Sequence, residues 1–187
     1  MGLLLYHTGF DEIRAPDIRR GRKNADFGQG FYLSTDPAFS RRWARTRKGL
    51  ETRINAYELE ADGLAVKVFD RSAEWFEYIF SNRNGRKDAL EDRDVVVGPI
   101  ANDTIFDIFG ITTSGYLTGG QALALLSVGP EYTQVALKSE KAAAALCFLS
   151  SSVIDAEAIA RCRETVRREE AAYQEQVAAL LRRFFGD

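Results

Sequence analysis

The chain has 187 residues, with 25 Lys and Arg against 27 Asp and Glu, one His and two Cys. One histidine excludes a multi-histidine zinc site, and Cys147 and Cys162 are too few for a cysteine-rich metal site or a disulfide framework, which fits a reducing cytoplasm. At 45% hydrophobic and 28% charged residues the chain reads as ordinary globular protein of about one domain by length, neither disordered nor fibrous.

Leu3 to His7 is an apolar run that ends at Thr8-Gly9, which predicts a strand stopping at a turn. Arg14 to Gln29 is polar, basic and punctuated by glycine, the pattern of a long surface loop, and Gly30 to Ser34 predicts a short aromatic strand. Thr35 or Asp36 can cap the next helix, with Pro37 in its first turn. That helix would set Phe39 and Trp43 four residues apart on one face. Arg53 to Glu60 alternates apolar and polar residues, and the turn Ala61-Asp62-Gly63 predicts a hairpin with Leu64 to Phe69. Ser72 caps a helix carrying Trp75, Phe76, Ile79 and Phe80. Asp94 to Gly98 reads as a buried β-branched strand, Asn102-Asp103 as the start of a helix with Ile105, Phe106 and Phe109, and Thr118 to Ser127 as another helix. Thr133 to Leu137 is a strand, and Ser139 opens an alanine-rich helix through Phe148. From Asp155 to about Phe184 runs one helical stripe of Ile159, Val166, Tyr173, Val177 and Leu181. The order is α+β with short, largely antiparallel strands.

The start MGLLLYHTGF lacks the basic, apolar and small-residue regions of a signal peptide, and no run of about 18 apolar residues is present. The expectation is a cytoplasmic protein without membrane contact, which other machinery could still deliver to a target cell. Net charge is uninformative at -2, but its distribution is not. Between Arg14 and Arg53 eleven basic residues stand against four acids, a balance of +7 that leaves -9 for the remainder. Such a region attracts phosphate oxygens, of a nucleotide or a nucleic acid, or is a solvated loop and helix face.

His7 ends a strand beside a turn, where functional groups concentrate, although a lone histidine is often a hydrogen-bonded structural residue. Gly28-Gln29-Gly30 precedes a strand instead of following one, so it is not a dinucleotide fingerprint of the Rossmann kind. Together, His7-Thr8, Gly28 to Tyr32, Ser40 and Trp43 resemble the ADP-ribosyltransferase superfamily, in its diphtheria-toxin and poly(ADP-ribose) polymerase branch. Members of that branch have a first-strand His followed by a small residue, a G-x-G-[aromatic or Ile]-Tyr strand, and a helix bearing Ser and an aromatic residue. Ser40 and Trp43 stand eight and eleven residues after Tyr32, in agreement with the polymerase pattern without a gap. Tyr6-His7, Asp26 to Leu33, Gly98 to Asp103 and Gln134 are also similar to a bacterial family assigned to the superfamily, and the likeness covers roughly residues 3 to 150.

The resemblance implies a split antiparallel sheet with flanking helices, residues 1–152 as an ADP-ribosyltransferase-like domain and 153–187 as an amphipathic helix packed on it or extending it. It implies NAD as substrate and no metal. His7 would hold the adenosine ribose, and the backbone of Thr8 the nicotinamide carboxamide, with Gly9, Gly30, Phe31 and Asn102 also lining the NAD site. Tyr32 and Trp43 would sandwich the nicotinamide ring, with the Ser40 hydroxyl on its carboxamide; a flat, electron-poor ring suits both aromatics. Their alternative is ordinary core. Gln134 takes the late-strand place where many members carry Glu. An amide can orient ribose hydroxyls but is no general base near neutral pH, which implies transfer of one ADP-ribose, or NAD hydrolysis, over polymer formation. Gln134 could equally face outward from its strand. Asp103 could supply the carboxylate, or Asn102-Asp103 could be a capping pair. Arg19, Arg20, Arg22 and Lys23 could reach the pyrophosphate or an acidic target, or stay solvated. Cys147, in the apolar segment LCFL, reads as a buried structural cysteine.

The leading expectation, with His7, Tyr32, Gln134 and Asp103 as catalytic candidates, is a bacterial mono-ADP-ribosyltransferase. It would move ADP-ribose from NAD to a protein or nucleic-acid acceptor and release nicotinamide, as a toxin neutralised by an antitoxin or immunity protein. Two other classes stand beside it: a degenerate module that binds NAD or ADP-ribose without turnover, and a nucleic-acid-binding protein that uses residues 14–53.

Overall fold

The computed structural model of the chain describes residues 2–101 and 117–186. Seven strands, β1 (Leu3–Gly9), β2 (Phe31–Ser34), β3 (Thr52–Leu59), β4 (Val66–Val68), β5 (Val95–Pro99), β6 (Thr133–Leu137) and β7 (Leu146–Ile154), form one sheet in the order β4-β5-β6-β2-β1-β3-β7. The described helices are α1 (Pro37–Arg41), α2 (Ala73–Arg83), α3 (Gly119–Leu126), α4 (Glu140–Ala144) and α5 (Ala156–Phe185). The architecture is α+β, and every strand pair is antiparallel except β4 with β5.

The sheet is two well-laddered halves joined at a single place. β1 pairs with β3 over its whole length, from Leu3↔Leu59 to Gly9↔Arg53, and β2 pairs with β6 from Phe31↔Leu137 to Ser34↔Gln134. Between β1 and β2 the only registered pair is Tyr6↔Ser34. Alternation then sorts side chains to two faces. Leu5, Phe31, Leu33, Tyr57, Val135 and Leu137 build a core on one face, closed by Ile13 and Ile18 from the loop after β1. Val96, Ala136 and Phe27 lie on the other, under Trp75 and Ile79 of α2, Leu125 of α3, and Tyr173 and Val177 of α5. Ile159 of α5 also packs with Ile54 and Ile154 beside β3. The C-terminal helix therefore covers the sheet. No helix among the described residues is long and apolar enough to cross a membrane.

The helix starts follow local chemistry. The Asp36 carboxylate accepts from the Ala38 N–H with Pro37 in the first turn, and Ser72, Ser139 and Asp155 cap α2, α4 and α5 in the same way. Thr118 and Gln121 make a reciprocal capping box on α3.

Five expectations change. The first strand does not stop at His7: Thr8 and Gly9 continue it, paired with Ile54 and Arg53, because β3 runs on beside them. Val66–Val68 forms no hairpin with β3; it runs parallel to β5 at the far edge. Both edges of β3 are already filled, by β1 and β7, while the Ala65 N–H donates to the Asp94 carboxylate and ties the chain to β5. The alanine-rich helix stops at Ala144, and Leu146–Ile154 becomes the edge strand β7, so Cys147 is exposed. A short apolar run reads as helix or strand alike, and here the open edge of β3 decides. Helix α1 is only five residues long. The N–H groups of Arg42, Trp43 and Ala44 bond three residues back, to Phe39, Ser40 and Arg41, so the chain tightens and swings Trp43 off the Phe39 face. Phe39 is 3% exposed and Trp43 48%. Finally, the loop before β2 is not all surface, because Asp26, Phe27 and Gly28 are buried. The helix expected from Asn102-Asp103 lies outside the described residues.

Phe27 is fully buried and stacks near Tyr32, Phe69 and Tyr78, at centroid distances of 6.5, 6.2 and 6.2 Å. Phe27→Ala should therefore cost about 3–5 kcal/mol in urea unfolding, as for a large aromatic removed from a core. A loss below about 1 kcal/mol would mean that the loop is not part of the core.

Candidate functional site

The ladder between β1 and β2 ends at Tyr6↔Ser34, and the next residue of β1 is His7. Its Nδ1 lies 2.8 Å from the Tyr32 carbonyl oxygen. A carbonyl only accepts, so Nδ1 carries the proton and donates, and Nε2 is left as an acceptor. The side chain thus spans the two strands where their backbones stop pairing. Its ring lies on Phe31, with centroids 4.6 Å apart. Gly9 keeps the space beside Nε2 open, since a Cβ there would sit 3.3 Å from that atom. Burial pushes the His7 pKa down, and the bond to the Tyr32 carbonyl opposes this only in part. The imidazole is neutral near pH 7.

Thr8 points to the opposite face, where its hydroxyl and that of Ser40 hydrogen-bond at 3.0 Å. Ser40 is buried on α1, and Trp43 follows it on the exposed turn. Tyr32 is held at its phenol, which accepts from the Phe27 N–H at 2.9 Å and donates to the Gly28 carbonyl at 2.7 Å. Burial, then the nearby Asp26 carboxylate, raise the Tyr32 pKa well above its ordinary value, so it stays protonated.

Asp26 is the residue that sequence reasoning missed. Its carboxylate accepts from Arg83 Nε at 2.7 Å, from the Ala101 N–H at 3.0 Å and from Gln134 Nε2 at 3.0 Å, and its carbonyl accepts from Asn82 Nδ2 at 3.0 Å. A carboxylate cannot donate, so Gln134 presents its NH2 to Asp26, and its Oε1 is an acceptor with no partner among the described residues. The signal that was visible is an acid at the head of Asp-Phe-Gly; its partners stand 57, 75 and 108 residues away. A second polar cluster braces the same loop: the buried Lys138 ammonium contacts Asp88 and donates to the Tyr78 hydroxyl at 2.8 Å. Burial lowers the Lys138 pKa, with Asp88 opposing. Gly28, at φ +76°, lies against Asp88, whose Oδ2 would be 2.1 Å from a Cβ.

The structure therefore brings His7, Phe31 and Tyr32 together on β1 and β2, and Thr8 with Ser40 across from them. Gln134 stands beside Ser34 in the β2–β6 ladder, tied to Asp26. Gly30 is buried against the Leu137 carbonyl, which would be 2.6 Å from a Cβ, so its role here is close backbone packing. Arg19 is exposed and paired with Glu140 at 3.4 Å; Arg20, Arg22 and Lys23 are exposed as well. Asn102 and Asp103 lie outside the described residues.

The single histidine makes one prediction easy to read. The folded state takes up the His7 proton at lower pH than the unfolded chain, so the stability from neutral His7 is full above 6.5 and falls as pH drops towards the folded pKa. The imidazole resonance should titrate with a midpoint below 6.5, and His7→Gln should remove that segment of the stability–pH curve. A midpoint above 6.5 would contradict the buried, neutral assignment.

A family model described as "Protein of unknown function (DUF3990)" matches residues 3–148, from the start of β1 into β7. No curated protein matches the chain. The matched span includes His7, Thr8, Asp26, Tyr32, Ser40 and Gln134 and stops before α5. The chain belongs to the DUF3990 family.

Proposed function

We propose that the chain is a mono-ADP-ribosyltransferase with an ADP-ribosyltransferase-like split sheet, using NAD as substrate. The observation that carries this reading is the single registered pair between β1 and β2, with the neutral His7 imidazole bonded to the Tyr32 carbonyl on one face and the Thr8–Ser40 hydroxyl pair on the other. In this reading the weakly paired β1–β2 junction, with polar groups and aromatic rings on both faces, admits a dinucleotide.

In this reading the nicotinamide carboxamide meets the Thr8 backbone and the Ser40 hydroxyl. Its ring lies against Tyr32, whose phenol is fixed by Phe27 and Gly28 and so holds the ring plane still. Trp43, half-exposed beside Ser40, closes over the other side. His7 Nε2 accepts from an adenosine ribose hydroxyl, which requires the neutral imidazole. Gln134 Oε1, oriented by Asp26, accepts from a nicotinamide ribose hydroxyl and favours the positive charge that develops as the glycosidic bond lengthens. Nicotinamide leaves with the bonding pair, and the acceptor or water bonds to the ribose carbon. An amide at Gln134 offers no general base, so one ADP-ribose is transferred and no polymer grows. The resemblance in sequence extends the proposal to a cytoplasmic or delivered toxin with a neutralising partner.

A second reading, NAD binding without turnover, is favoured by one feature: the Gln134 amide is already engaged by Asp26 and no carboxylate is at its position. Purified protein given nicotinamide-labelled and adenine-labelled NAD separates the two. The proposal expects nicotinamide release, label transfer into lysate, and quenching of the exposed Trp43 by NAD while the fully buried Trp75 keeps its emission. Ser40→Ala should lower kcat/KM about tenfold, the loss of one hydrogen bond of roughly 1.4 kcal/mol. Binding without release selects the second reading, and absence of NAD binding overturns both.

A further inference from the structure

Between Asp36 and Glu51 the chain carries Arg41, Arg42, Arg45, Arg47 and Lys48 and no acid. Arg42 is engaged, in an ion pair with Glu169 of α5 and 4.8 Å over the Tyr132 ring. Arg53 takes the two nearest carboxylates, Glu12 and Glu51. Arg41, Arg45, Arg47 and Lys48 have no carboxylate partner among the described residues. Arg45, Arg47 and Lys48 are exposed. Arg47 and Lys48 sit on a tight turn closed by the Leu50 N–H on the Arg47 carbonyl at 3.1 Å, with Gly49 at φ +77° in the place where a type II turn requires it.

This basic loop stands beside the end of β1. The Arg47 guanidinium lies 6.0 Å from the centroid of Phe10, the residue directly after β1, and Ser40 and Trp43 lead into the loop from α1. Large apolar surfaces are interleaved with the cations, since Trp43 is 48% and Leu50 46% exposed. Cations beside an exposed aromatic ring match a single-stranded polynucleotide, whose phosphates meet the cations while its splayed bases stack on flat rings. A duplex keeps its bases stacked inward, and an acidic peptide offers no base to stack.

We propose that the loop of residues 41–50 binds a single strand of nucleic acid and presents it to the adjacent opening. That this strand is the acceptor rests on the transferase reading above. In that step a nucleophilic oxygen or nitrogen of the strand bonds to the ribose carbon of NAD, nicotinamide leaves with the bonding pair, and the acceptor's proton passes to water.

Binding is measured first without NAD, by anisotropy of fluorescein-labelled single strands of about 20 nucleotides, in deoxyribo and ribo form, with the full chain. Binding of either form is expected, with log K falling against log salt at a slope of about -3, as for four phosphate contacts. The triple variant R45E/R47E/K48E should weaken binding at least about tenfold, while its circular dichroism and urea midpoint stay those of the parent chain and report an intact fold. Tighter binding of the duplex, no binding by the parent chain, or equal binding by the triple variant overturns the proposal. A strand that binds while nicotinamide is never released leaves this surface standing and removes the transferase reading. Nicotinamide release with label refused by the bound strand removes the acceptor assignment alone.

Discussion

The buried carboxylate of Asp26 ties together segments that the chain itself keeps far apart. It fixes the loop before β2 to Arg83 at the end of α2, to the Ala101 N–H after β5 and to Gln134 on β6. A buried charge is tolerated only when its partners are in place, and removing one partner of such a pair typically costs about 3–5 kcal/mol. The arrangement is therefore all or none. With it intact, Phe27 sits in the core, and its N–H, with the Gly28 carbonyl, holds the Tyr32 phenol. The Asp26 carboxylate thus sets the direction of the Gln134 amide directly and holds in place the loop whose backbone fixes the Tyr32 phenol.

The second constraint is the sheet's junction. A full ladder between β1 and β2 would leave no room for a ligand between them, and complete separation would divide the core. One backbone pair, Tyr6↔Ser34, followed by a side-chain bond from His7 to Tyr32, joins the two halves of the sheet. The same bond assigns the proton to Nδ1 and leaves Nε2 as an acceptor beside Gly9. Helix α5 braces α1, because Glu169 holds Arg42 at the end of α1, next to Ser40 and Trp43. That support comes from outside the span matched by the family model.

What could be read in advance was local. Asp36-Pro37, Ser72, Thr118 and Asp155 announce helix starts through their own backbone neighbours, and all four act as caps. The strand carrying His7 and the strand carrying Tyr32 were legible from their apolar runs, although the first continues through Gly9 instead of stopping at His7. What escaped was long-range. The partners of Asp26 lie up to 108 residues away, and nothing in the Asp-Phe-Gly segment names them. Val66–Val68 and Leu146–Ile154 took their places because of which strand edges were vacant, a property of the assembled sheet. Trp43 left the Phe39 face because the chain tightened after Arg41, a change of pitch too small to show in residue types. The basic segment likewise separates only in three dimensions, into arginines spent on Glu12, Glu51, Glu140 and Glu169 and those with no carboxylate partner among the described residues, of which Arg47 lies over Phe10.

The central claim is that the opening beside His7 receives NAD. The chain has one histidine, so its imidazole gives one signal, placed at the opening itself. Adding NAD up to about 1 mM, a range that covers ordinary substrate affinities, should shift that signal saturably, with nicotinamide appearing over the same concentrations. An imidazole signal that does not move while NAD is present, whatever else the protein does, would contradict the account.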